Sequence, residues 1–125
     1  MIGAQVMPGK RNTMQNITDL ETLEQMKAEG ALFILFGGEH CNVCHTLRPQ
    51  LMSLLDEHFP DMRAVYVDCE ASPEICAQHR VFSLPAVKAY IDGMLIAEDA
   101  RAFSLSELMH KIERPYAIWR FSNSE

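Results

Sequence analysis

Residues 31–51 read ALFILFGGEHCNVCHTLRPQL. Every position from 31 to 36 is apolar, and such an unbroken run predicts a strand that is covered on both faces, as in the parallel part of an α/β sheet. Two glycines and two polar residues then interrupt the pattern. After them, leucines recur at three- and four-residue intervals, which predicts a long helix from about Cys41 to Pro60. The stretch therefore indicates a buried central strand, a short loop and a helix.

The cysteines Cys41 and Cys44 lie at the head of this predicted helix. Two residues three apart on a first helical turn are close enough for their sulfurs to be joined without moving the backbone. The unpaired N–H groups and the positive dipole end of a helix stabilise a thiolate there. Cys44 shares its helical face with Leu47 and Leu51, whereas Cys41 sits at the exposed start. We therefore predict that Cys41 is the nucleophile and Cys44 the resolving thiol of a thiol-disulfide exchange reaction.

The rest of the chain supplies the other elements. Gly30 is the predicted end of a first helix, Asp92-Gly93 predicts a tight hairpin between two strands, and Pro115 is predicted to end the last helix. The predicted ranges are helices at about 18–29, 73–79 and 104–114 and strands at 63–68, 86–91 and 94–98. Together they indicate an α/β fold in the order α-β-α-β-α-β-β-α, with a central mixed four-stranded sheet flanked by helices.

Several of these features occur together in one known family. A strand precedes Cys41-Asn42-Val43-Cys44, a helix containing Pro49 follows it, and Leu84-Pro85 stands before the hairpin strands. With the strand ending Val65-Tyr66-Val67-Asp68 and the Asp92-Gly93 turn, the chain resembles the thioredoxin family over most of its length. The resemblance implies a thioredoxin-like fold, a cis peptide bond before Pro85, and substrate binding by the backbone at Leu84 and Pro85.

The resemblance also implies an activity. We expect a protein-disulfide reductase that exchanges its Cys41/Cys44 pair with protein disulfides and so serves cell redox homeostasis. We expect it to use no bound cofactor, to take electrons from a separate donor and to act as a monomer.

The chain departs from the family's pattern at several positions. Thioredoxins proper have Trp before the first cysteine and Gly-Pro between the two, whereas this chain has His40 and Asn42-Val43. The family's buried acid, which handles the proton of the second thiol, matches Leu35. Its lysine companion matches Ala64, and a glycine ahead of the last helix is replaced by Arg101. The resemblance therefore implies neither a redox potential for the Cys41/Cys44 pair nor a group that handles the proton of Cys44.

Three ionisable residues flank the dithiol. A protonated imidazole of His40 or His45 would stabilise a thiolate, and a neutral one could take a proton. The carboxylate of Glu39 would disfavour the thiolate because of its like charge. We expect His40, His45 and Glu39 to tune the pKa of the dithiol, with the alternative that the histidines are merely solvated.

The composition indicates one folded domain and argues against two kinds of partner. The chain has 125 residues, of which 48% are hydrophobic and 22% charged, as expected of one folded domain. A net charge of -6 without a run of Lys or Arg argues against nucleic acid as a partner. No apolar stretch approaches the roughly 20 residues of a membrane span, which argues against a membrane.

The chain is divided into three parts by its composition. We predict a disordered leader at residues 1–16, which hold no apolar core of a secretory signal, and from this a cytoplasmic location. Met14 is an alternative start. Residues 17–114 form the predicted thioredoxin-like domain, and 115–125 form an aromatic tail that packs on the body or meets a partner.

Other chemistries fit parts of the cysteine pattern. Cys41 to His45 is a C-x-x-C-H sequence, the attachment pattern of c-type haem, but haem leaves the other motifs unexplained. The four cysteines could bind structural zinc, or the C-x-x-C could bind an iron-sulfur cluster. We interpret Cys69 and Cys76 as reduced core or half-buried residues, with a second redox pair as the alternative. A thioredoxin-fold adaptor that exchanges few electrons is a further alternative.

Overall fold

The computed structural model describes residues 14–123. Their elements are β1 (Gln15–Asn16), α1 (Leu20–Ala28), β2 (Ala31–Gly37), α2 (Asn42–His58), β3 (Arg63–Asp68), α3 (Pro73–Gln78), β4 (Ala86–Ile91), β5 (Met94–Ala100) and α4 (Leu105–Ser122). One mixed sheet has the strand order β1-β3-β2-β4-β5. The strands β1, β3 and β2 run parallel, and β4 and β5 join by antiparallel pairing. The predicted α/β class and the order of the predicted elements are confirmed.

The strand β2 lies at the centre of the sheet, and all of its residues are buried. Its side chains alternate between two apolar clusters, one on each face. Phe33 and Leu35 pack in the cluster that holds the buried residues of α2 and α4. Ile34 and Phe36 pack in the cluster that holds those of α1 and α3. The strand is thus covered on both faces, as its unbroken apolar run predicted.

The sheet has one strand more than the four predicted. The strand β1 pairs with β3, and the amide of Ile17 donates to the carbonyl of Tyr66 at 2.9 Å. Met14 and Ile17 flank β1 and are buried, so apolar contacts hold this short strand in place. Two residues are too few to show an alternating pattern in the sequence. The predicted leader, residues 1–16, ends inside the sheet, and its residues 1–13 lie outside the described part of the chain.

The last helix extends past the end predicted for it. Pro115 lacks the amide hydrogen that would bond one turn back, at a cost of about 3 kcal/mol in a helix interior, yet α4 continues to Ser122. Tyr116 supplies a reason. It is buried, its ring centroid lies 4.9 Å from that of Phe59, and its hydroxyl accepts from the amide of Asp61 at 2.9 Å. The predicted end at Pro115 is wrong because this packing outweighs the lost hydrogen bond.

His79 is a buried polar residue that follows α3. Its Nδ1–H donates to the carbonyl of Ile75 at 2.8 Å, and its Nε2 accepts from the Nζ of Lys27 at 3.0 Å. Burial lowers the pKa of His79, and Lys27 and Lys88 lower it further, while the carbonyl of Ile75 and the carboxylate of Glu24 oppose the shift. The neutral ring is therefore the form that fits this site.

We expect the free energy of unfolding to fall as the pH drops below about 6.5. The pKa of His79 is lowered in the folded state, so the unfolded chain takes up this proton first and is favoured by acid. The variant His79→Gln should flatten this dependence in urea unfolding between about pH 7.5 and about pH 5.5. The matched control is His110→Gln, since that ring is exposed. Parallel curves for the parent and His79→Gln would contradict this account.

Candidate active site

The dithiol lies where the carboxyl end of β2 meets α2. Cys41 is the N-cap residue of α2, and Cys44 lies in its first turn. Their sulfurs form a disulfide, with the two Cα atoms 5.3 Å apart. The amide of Cys44 also donates to the sulfur of Cys41 at 3.2 Å. The outer sulfur therefore takes the place of a capping acceptor at the positive end of the helix.

The two sulfurs differ in exposure to solvent. Cys44 is 0% exposed, whereas Cys41 is half-buried. Cys44 lies on the face of α2 that packs on the sheet, together with the buried Leu47 and Leu51. Cys41 is therefore the sulfur that another molecule can reach.

The three residues that the sequence analysis expected to tune the dithiol lie around the loop before Cys41. The ring of His45 turns back, and its Nε2 donates to the carbonyl of Glu39 at 2.9 Å. The ring of His40 is largely exposed and binds Glu70, with 2.9 Å between its Nδ1 and the Oε1 of the carboxylate. The amide of His40 donates to the Oε2 of the same carboxylate at 3.2 Å. The ring of His45 thus binds the backbone of the loop before Cys41, and His40 links that loop to Glu70.

Glu70 is a charged neighbour of this loop that the sequence analysis missed. It follows β3, whose end lies beside that of β2 because Gly37 pairs in register with Asp68. Hydrogen bonds from the ring and then from the amide of His40 lower the pKa of Glu70, so the group is a carboxylate at neutral pH. The only signal in the sequence was that two parallel strands end at the same edge of a sheet. Because the pair is exposed, it contributes little to stability.

The Leu84-Pro85 segment lies at the same edge of the sheet. The peptide bond between these residues is cis, as the resemblance implied. The strand β4 begins at Ala86, which pairs with Phe36 near the end of β2, so Pro85 lies beside the strand that leads to the dithiol. Pro85 is buried and Leu84 half-buried, while the nearby Phe82 is 83% exposed. Phe82 is a large apolar side chain that sequence reasoning did not single out.

Cys69 and Cys76 form a second disulfide, with their Cα atoms 5.7 Å apart. The prediction that they are reduced is wrong, and the alternative of a second pair gives the correct connection. The disulfide joins the end of β3 to α3, and the amide of Cys69 donates to the carbonyl of Gly37 at 2.8 Å. The sequence could not reveal this pairing because it depends on how the segment between β3 and α3 folds back.

Within residues 14–123, no group of three or more His, Cys, Asp or Glu side chains is placed to hold a metal ion. No helix in that same part of the chain is long and apolar enough to cross a membrane.

A tyrosine on β3 is the neighbour of Leu35 in the sheet. Tyr66 pairs in register with Leu35, whereas Ala64, which the resemblance matched to the family's lysine, pairs with Phe33. Position 66 therefore lies across from the residue that replaces the family's buried acid. In the sequence, Tyr66 stands out only as one residue of a predicted strand.

The hydroxyl of Tyr66 lies close to the dithiol. A Cβ atom placed on Gly37 would collide with this hydroxyl and would lie 3.0 Å from the Cβ of Cys44. The phenol oxygen and Cys44 therefore border the same small space, which the hydrogen of Gly37 leaves open. A glycine is needed at this position because the interior has no room for a larger side chain.

Comparison with known proteins gives one family. The family model described as Thioredoxin matches residues 14–114. The chain is 28% identical over 110 residues to the thioredoxin-like protein YdfQ of Bacillus subtilis, a match that covers 85% of this chain and 97% of that protein. It is 31% identical over 85 residues to mitochondrial thioredoxin-3 of Saccharomyces cerevisiae, covering 68% of this chain and 65% of that protein.

Solved structures of thioredoxins are similar in fold. The oxidised form of mitochondrial thioredoxin 3 from Saccharomyces cerevisiae matches with a TM-score of 0.68 at 25% identity, covering 84% of this chain and 94% of that one. Thioredoxin from Trypanosoma brucei brucei matches with a TM-score of 0.74 at 20% identity, covering 86% and 95% of the two chains.

The variant Gly37→Ala should lower the free energy of unfolding by about 1–3 kcal/mol, because a methyl group would overpack the space between Tyr66 and Cys44. Gly38→Ala is the matched control. Its Cβ would meet the carboxylate of Glu70 at 2.8 Å, but that flexible, exposed side chain can turn away. Urea unfolding of both variants measures the difference. Equal midpoints for the two variants would contradict the packing described at Gly37.

Proposed function

Because the chain belongs to the thioredoxin family, we propose that it is a thiol-disulfide oxidoreductase that reduces disulfides of other proteins. The observation that carries the proposal is the disulfide between Cys41 and Cys44 at the head of α2. A pair in this position can be opened to a dithiol and closed again without moving the backbone.

Cys41 is the nucleophile in this proposal. In the reduced protein its thiolate attacks one sulfur of a substrate disulfide, forms a mixed disulfide, and releases the other substrate sulfur as a thiolate. Partial exposure makes Cys41 accessible, and the helix N-terminus favours its thiolate over its thiol. Both features support this assignment over the reverse one.

Cys44 is the resolving thiol. It attacks Cys41 in the mixed disulfide, so that the Cys41–Cys44 bond forms and the second substrate sulfur leaves with the electron pair. The substrate has then gained two electrons and, from solvent, two protons, while the enzyme's dithiol has lost both. Both cysteines belong to one chain and their Cα atoms are 5.3 Å apart, so this intramolecular step is faster than attack on the mixed disulfide by a thiol of another molecule.

The segment before β4 binds the substrate chain in this proposal. Leu84 and Pro85 lie at the edge of the sheet where the dithiol lies. Two exposed apolar side chains, Val43 between the cysteines and Phe82 before the cis bond, add surface for an extended peptide. Backbone pairing gives affinity without demanding a particular sequence, which suits an enzyme acting on several protein disulfides.

Three charged or titratable side chains adjust the reactivity of Cys41. A protonated ring of His40 or His45 favours the thiolate, and the carboxylate of Glu39 disfavours it. The hydrogen bond between His45 and the carbonyl of Glu39 keeps two of these residues at the loop before the nucleophile.

The proposal includes a cellular setting. The protein acts as a monomer in the cytoplasm, needs no bound cofactor, and is returned to its dithiol form by a separate thiol or dithiol donor.

Insulin reduction with dithiothreitol as the electron donor tests this function. We expect the parent to accelerate the reaction, and Cys41→Ser to fall to the rate of dithiothreitol alone because no mixed disulfide can form. The matched control is the double variant Cys69→Ser/Cys76→Ser, which removes the other disulfide and should keep most of the parent's rate. Equal turnover by the parent and Cys41→Ser would overturn the catalytic assignment and indicate a binding module instead.

A further inference from the structure

The exchange reaction requires the inner cysteine, Cys44, to become a thiolate. When a donor opens the Cys41–Cys44 disulfide, Cys44 leaves as a thiolate, and when it resolves a mixed disulfide it attacks as a thiolate. Cys44 is completely buried, and burial without a partner disfavours the charged form. Leu35, on the adjoining strand, is apolar and cannot help. A hydrogen-bond donor beside the buried sulfur would offset this cost.

Tyr66 is placed to supply that stabilisation. Its side chain is buried, and its hydroxyl and the Cβ of Cys44 both border the space beside Gly37. A hydroxyl is one of the few groups that can both lie in an apolar cluster and donate a hydrogen bond to a thiolate. The absence of a side chain at Gly37 leaves the space between the two groups open.

Arg48 fixes the ring of Tyr66. It follows Cys44 by one turn of α2, and its guanidinium carbon lies 4.2 Å from the centre of the Tyr66 ring. The guanidinium also donates to the carbonyl of Met14 at 2.6 Å and to the Oδ1 of Asn16 at 2.8 Å. The ring is thus held between β1 and α2, and its freedom to turn away from Gly37 is restricted.

We propose that the hydroxyl of Tyr66 donates a hydrogen bond to the sulfur of Cys44 whenever that sulfur carries a negative charge. The proposal deepens the exchange function and rests on it. Tyr66 performs the task of stabilising the second thiolate, for which the chain has no carboxyl group on β2.

The electrons and protons balance as follows. A donor thiolate bonds to the sulfur of Cys41, the Cys41–Cys44 bond breaks, and its electron pair stays on Cys44. The hydroxyl of Tyr66 keeps its proton and shares it with this thiolate, which is later protonated from solvent. In the resolving step Cys44 first loses its proton to solvent, and the same hydrogen bond stabilises the thiolate that attacks Cys41.

The surroundings of Tyr66 favour its hydroxyl as a hydrogen-bond donor rather than as a base. Burial, and then the charge of Asp68 and more weakly that of Glu70, raise the pKa of the phenol, while the cation of Arg48 opposes them. The hydroxyl therefore stays protonated over the range in which thiols exchange. Asp68 and Glu70 lie at the end of β3 and Arg48 on α2, so both sheet and helix contribute charges that face the ring.

A titration of Cys44 alone tests the proposal. In Cys41→Ser the other two cysteines remain paired, so Cys44 is the free thiol, and its ionisation is followed by the ultraviolet absorbance of the thiolate. We expect Tyr66→Phe, made in this background, to raise the midpoint by about one pH unit, a tenfold loss of thiolate below it. Tyr90→Phe is the matched control, since Tyr90 is also buried but packs on the opposite face of the sheet. An unchanged midpoint in Tyr66→Phe would overturn the proposal.

A second measurement keeps the hydroxyl of Tyr66 in place. Cys41→Ser labelled with fluorotyrosine is followed by fluorine NMR across the same pH range, with Tyr90 and Tyr116 as internal references. The fluorine chemical shift of Tyr66 should change with pH at the same midpoint as the ionisation of Cys44. A chemical shift that does not change at this midpoint would contradict the contact. Both experiments read ionisation without a substrate, so their failure is distinct from failure of insulin reduction.

Discussion

The loop between β2 and α2 fixes the positions of both cysteines. Because β2 is buried along its whole length, packing on both faces fixes the place where the chain leaves the sheet. A hydrogen bond of 3.1 Å from the amide of Cys41 to the carbonyl of Gly38 then closes the turn into the helix. The first turn of α2 therefore begins with Cys41 as its cap and Cys44 against the sheet. The difference between an accessible outer sulfur and an enclosed inner sulfur follows from this one arrangement.

Neighbouring strands bring the other functional groups to the same edge. The strand β3 ends beside β2 and is followed by Glu70, which binds the loop before Cys41. The strand β4 runs the other way, so that it begins where β2 ends and places Pro85 there. The outer sulfur is thus open to another protein, while the inner cysteine is buried, with its Cβ and the hydroxyl of Tyr66 beside Gly37. Chemistry at the two sulfurs can be adjusted separately because different strands supply their neighbours.

Features that depend on neighbours in sequence could be predicted, and those that depend on distant contacts could not. The apolar run of β2, the cysteine spacing and the Asp92-Gly93 turn are local, and the structure agrees with each. The continuation of α4 past Pro115 depends on Tyr116 meeting residues half the chain away. The disulfide of Cys69 with Cys76, and the approach of Tyr66 to Cys44, likewise arise only when strands and loops are placed beside one another.

The N-terminus of α2 should make Cys41 a more acidic thiol than free cysteine. The most direct measurement is the pH dependence of iodoacetamide alkylation in Cys44→Ser, where Cys69 and Cys76 remain paired and Cys41 is the free thiol. We predict a midpoint about one pH unit or more below the value of about 8.5 for free cysteine. A midpoint at or above that of free cysteine would contradict the account.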